Sequence, residues 1–94
     1  MKLPKTVRVG GHDISITYEN EPKVDGDDCW GSYEAETKII ALKKSLCQSM
    51  MTEVFIHEVI HAVAINRCLK LTESEVGVLA SGLYAFLRDN GYLK

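Results

Sequence analysis

Apolar and polar residues alternate through "TVRVGGHDISITYE", residues 6–19, with β-branched side chains on both sides of Gly10-Gly11. That pattern predicts a hairpin with strands over about residues 5–9 and 12–19. The following "NEPKVDGDDCWGSYEAE" is polar and punctuated by Pro22, Gly26 and Gly31, so it reads as a long surface loop. Loops of such length in a small domain often carry function. "TKIIAL", Thr37 to Leu42, returns to strand composition and is expected to complete a small antiparallel sheet of about three strands.

From Ser45 the apolar spacing becomes helical. Ser45 and Gln48 fit a capping box, and the helix should run to Ile65 before "NRC". Between Val54 and Ile65 only His57, Glu58 and His61 are polar, which predicts a central helix packed on nearly all sides. Thr72 and Glu75 form a second capping box. It opens an amphipathic helix with Val76, Leu79, Ala80, Leu83 and Leu87 along one face and a stop at Asn90-Gly91. The expected fold is α+β: the sheet, the central helix and a C-terminal helix.

At 94 residues the chain should form one domain whose small core cannot waste buried positions. Its net charge of -2 and scattered basic residues give no basic patch, so nucleic acid is not an expected partner. No apolar run approaches the ~18 residues needed to span a bilayer, and the N-terminus lacks the apolar stretch of a secretory signal. The three cysteines, Cys29, Cys47 and Cys68, include no CxxC pair and are read as reduced thiols in a cytoplasmic protein.

The chemistry lies in "HEVIH", residues 57–61. Residues four apart on a helix differ by ~40° around the axis and ~6 Å along it, so His57 and His61 project together and can hold one metal ion. Glu58 lies between them, suited to act as general base; this is the physical content of an HExxH motif, with zinc the expected metal. Burying two imidazoles and a carboxylate without partners would cost several kcal/mol, and Leu or Ala would have filled the same space. A catalytic zinc also needs a third protein ligand. His12 follows the hairpin glycines and reads as a turn residue. Glu73 and Glu75 lie about twelve residues past His61, where the second helix must fold back on the first. Glu75 has a capping task and Glu73 has none, which favours Glu73, against the competing view of both as solvated acids near a helix N-terminus.

"FIHEVIHAV" followed by "LTESEVGVLASGLYAFLRDN" resembles the small zincin-like metallopeptidases of bacteriophages and prophages, gluzincin in ligand pattern and related to the ImmA/IrrE type. The likeness takes in "VRVGGHDISITY", the "DG" and "GSY" of the loop, and "TKIIAL". It implies a minimal zincin-like fold in a bacterial host's cytoplasm, Zn2+ held by His57, His61 and Glu73, and Glu58 as catalytic base in peptide-bond hydrolysis. The partner would be a peptide or protein substrate. The strand Thr37 to Leu42 resembles the edge strand against which related proteases lay an extended peptide. Tyr33 and Tyr84 are candidates for polarising an oxyanion, although both residue types usually pack. The alternative is a non-catalytic phage regulatory or interaction module in which zinc ties two helices together. Substrate identity and oligomeric state are not encoded in any recognisable pattern.

Overall fold

The computed structural model describes residues 2–20, 23–24, 27–28 and 30–93. The hairpin forms as the alternation predicts: β1, Thr6–Val9, pairs antiparallel with β2, His12–Glu19, with Val9 opposite His12 across a two-residue turn. Gly10 and Gly11 have φ of 58° and 83°, the left-handed pair that a turn matched to strand twist requires. Short strands β3, Lys23–Val24, and β4, Asp27–Asp28, pair with each other. β5, Gly31–Glu34, and β6, Ile39–Lys43, form a second antiparallel hairpin.

The main sheet therefore has four strands in the order β1-β2-β6-β5, and it is mixed, because β6 runs parallel to β2. The expected α+β class holds, but the sheet expected as about three antiparallel strands has a fourth and is mixed. Part of the segment assigned to loop is strand β5, whose sequence "GSYE" is too short and too polar to announce itself. Once β5 turns back into β6, docking β6 on β2 buries Ile40 and Leu42 beside Ile14 and Ile16. Each such side chain contributes roughly 1.5–3 kcal/mol when fully buried, so this register outweighs the intrinsic preference for antiparallel pairing.

α1, Gln48–Asn66, lies across one face of the sheet, with Phe55 and Ala62 entering the same core. It comes so close at β5 that a Cβ on Gly31 would stand 2.5 Å from Cγ1 of Val54. α2, Glu73–Asp89, packs on α1 and, among the described residues, makes no contact with the sheet, burying Val76 and Ala80 against its neighbour. The layers are sheet, α1, α2.

Two helix expectations fail. α1 begins after Cys47, with no side-chain cap; Ser45 belongs to the turn leaving β6, so the Ser45–Gln48 box does not form. Nor is α1 packed all round: Val63 is 45% exposed, because one sheet and one helix cannot enclose a helix apolar on every side. The open flank is a groove of about 480 Å³ lined largely by Ile56, Ile60, Val63, Leu79 and Leu83. The Thr72–Glu75 box does form, with the Glu75 amide donating to Oγ1 of Thr72 at 3.1 Å and the Thr72 amide donating to the Glu75 carboxylate at 2.8 Å. α2 ends at Asn90, with Gly91 at φ 76° and the Tyr92 amide donating to the Leu87 carbonyl.

Candidate metal centre

His57 and His61 lie one turn apart on the face of α1 that meets the start of α2, their ring centroids 5.0 Å apart. Glu73 is the first residue of α2, set there by the Thr72 cap. Its carboxylate spans the two rings: Nε2–H of His57 donates to Oε1 at 2.6 Å, and Nε2–H of His61 donates to Oε2 at 3.0 Å. The two imidazole nitrogens and one carboxylate oxygen lie within 4.8 Å of one another. Tetrahedral zinc, with bonds of ~2.0–2.2 Å, spaces its ligand atoms roughly 3.4 Å apart, so small side-chain rotations bring this set to bonding distance. Two nitrogens and one oxygen also leave a coordination position open. The donor set thus fits a metal with an exchangeable site.

The electrostatics follow from the same placement. At Glu73 desolvation works upward, but the hydrogen bond from His57 and the charges of His61 and His57 outweigh it and hold the carboxyl below its ordinary value. Its side chain remains 73% exposed, so the centre opens to solvent on the α2 side. Glu58 is the opposite case, only 6% exposed in the interior of α1. Burial, and after it the Glu73 charge, pushes its carboxyl up to about 7. No hydrogen bond reaches that carboxylate from the described residues, and a carboxyl in this range exchanges protons close to neutral pH.

The remaining candidates lie elsewhere. Glu75 is engaged in the capping box, and His12 is exposed at the start of β2, beside a small cavity shared with Val9 and Asn66. Tyr33 packs against the core; among the described residues neither it nor Tyr84 hydrogen-bonds to His57, His61 or Glu73. β6 is interior to the sheet, between β2 and β5, so the expectation that it forms the substrate-side edge is corrected: the edge strand on that side is β5. Cys47 and Cys68 are free thiols, while Cys29 lies outside the described residues.

Sequence reasoning missed a cavity of about 460 Å³ beside His57, lined also by Trp30, Met50, Glu53, Val54 and Gly77. Glu53 stands four residues before His57, a spacing that could have placed it on this face; nothing in the pattern could have brought Trp30 there. No helix among the described residues is long and apolar enough to cross a membrane. No protein-family model, curated protein or solved structure matches the chain.

Proposed function

We propose that the chain is a zinc-dependent peptidase in which His57, His61 and Glu73 hold the metal and Glu58 is the general base. One observation carries this reading: across the α1–α2 interface two imidazole nitrogens and a carboxylate converge, with a buried carboxyl in the adjoining position of α1. A bound zinc ion would supply Lewis acidity, lowering the pKa of water toward ~7 and polarising a carbonyl oxygen. Glu58 takes the proton from the attacking water and returns it to the leaving amine, the two transfers that amide hydrolysis needs. β5 is the terminal strand of the main sheet, and its backbone groups would pair with an extended peptide lying over the α1 face that carries the histidines.

The rival reading, a zinc-tied module without catalysis, has one observation in its favour: among the described elements α2 packs on α1 alone, so a metal between them would fasten it. The Glu58→Gln variant separates the two. It keeps shape and removes the base, so zinc content should stay at one equivalent while turnover on an unbiased peptide library falls by roughly 10²-fold or more. A wild-type protein that cleaves nothing in such a library, or a variant that cleaves equally well, would replace the enzyme with the module.

A further inference from the structure

The cavity beside His57 is built from chemically distinct walls. One is the indole of Trp30, 55% exposed and without a ring or cationic partner among the described residues. The apolar side chains of Met50 and Val54 form another, and across from them α2 presents Gly77, where even a Cβ would meet nothing within 4 Å. Among the described residues, the one ionisable side chain lining the cavity apart from His57 is Glu53, which has no ion pair there. Among the described residues no basic side chain lines the cavity.

Resting on the peptidase reading above, we propose that this cavity is the subsite for a basic substrate side chain, lysine or arginine, within about two residues of the scissile bond. The apolar stem lies along Met50 and Val54 while the cation sits against the Trp30 face and the Glu53 carboxylate. An apolar side chain would match the walls but strip water from Glu53 with nothing in return, and an acidic one would meet like charge. Glu53 precedes His57 by one helical turn, ~6 Å along the axis. An extended peptide advances ~3.3 Å per residue, and this sets the two-residue reach.

Trp30 is the single tryptophan of the chain, so its indole signal reports this cavity alone. The test titrates the zinc-loaded full chain with N-acetyl-arginine amide, N-acetyl-norleucine amide and N-acetyl-glutamate amide, following indole fluorescence and the indole N–H resonance. Arginine amide should saturate in the millimolar range expected of a fragment, norleucine amide should bind at least about five-fold more weakly, and glutamate amide should give no saturable change. Glu53→Gln, at a half-buried position where the fold can be checked by its unchanged melting temperature, should weaken arginine amide by roughly ten-fold and leave norleucine amide unchanged. Equal binding of arginine and norleucine, or no effect of Glu53→Gln, overturns the subsite. The library assay keeps the two readings apart. Arginine binding without any cleavage retains the cavity's preference for a basic side chain but sinks the peptidase and, with it, the substrate role. Cleavage without enrichment of lysine or arginine within two residues of the bond sinks the subsite alone.

Discussion

At the scale of single residues, the candidate site depends on which of two glutamates, two positions apart, faces α1. Glu75 accepts from the Thr72 amide and donates its own amide to the Thr72 hydroxyl, while Glu73 reaches both histidines. Glu73→Gln should therefore weaken zinc binding by roughly ten-fold or more, and Glu75→Gln, which can still fill the capping box, should leave it within two-fold. Competition with a chromophoric chelator measures both; an affinity loss confined to Glu75→Gln would reverse the assignment. This much was legible in the sequence because helical spacing and capping act over a few residues. His57, Glu58 and His61 stand out as polar interruptions of an apolar run, and Glu73 as the acid left without a cap to make. Trp30 was not legible, since its place beside His57 depends on the pairing of its carbonyl with the Lys43 amide of β6 and on the approach of β5 to α1.

At the scale of elements, local signals held at the Gly10-Gly11 turn and at both ends of α2, but failed at the start of α1, where Ser45 lies in the turn leaving β6 and Cys47 takes the cap position. They failed also where tertiary pairing decides the outcome. The Gly10-Gly11 hairpin and the start and stop of α2 follow from turn and cap chemistry. The parallel pairing of β2 with β6 does not, because it is decided by which register buries Ile14, Ile16, Ile40 and Leu42 together. The end of α1 exposes a further cost. Cys68 sits at φ 57°, with its amide donating to Ile65 and the Leu69 amide to Ala64, the position that helix ends usually give to glycine. Cys68→Gly should relieve the left-handed strain and stabilise the fold by about 1 kcal/mol, as read from urea unfolding. An unchanged or lower midpoint would show that the exposed cysteine compensates in a way its backbone does not reveal.

At the scale of the whole molecule, α2 is the outer layer and among the described elements rests on α1 alone, so whatever joins the two helices at Glu73 stabilises the stack. A ligand that binds only the folded chain contributes ~2.7 kcal/mol at a hundred times its Kd. For a domain of this size that should raise Tm on the order of 10–20 °C, reversed by a chelator. His61→Ala should abolish the rise in a calorimetric scan; a variant that gains as much from zinc as wild type would place the metal elsewhere. Where zinc binds decides between these outcomes, and the decisive measurement is anomalous diffraction at the zinc edge from crystals of the full chain. One peak is expected, bonded to Nε2 of His57, Nε2 of His61 and a carboxylate oxygen of Glu73, next to the Glu58 carboxylate. A peak at other residues, the exposed thiols of Cys47 and Cys68 included, or no peak between α1 and the start of α2, would contradict this placement.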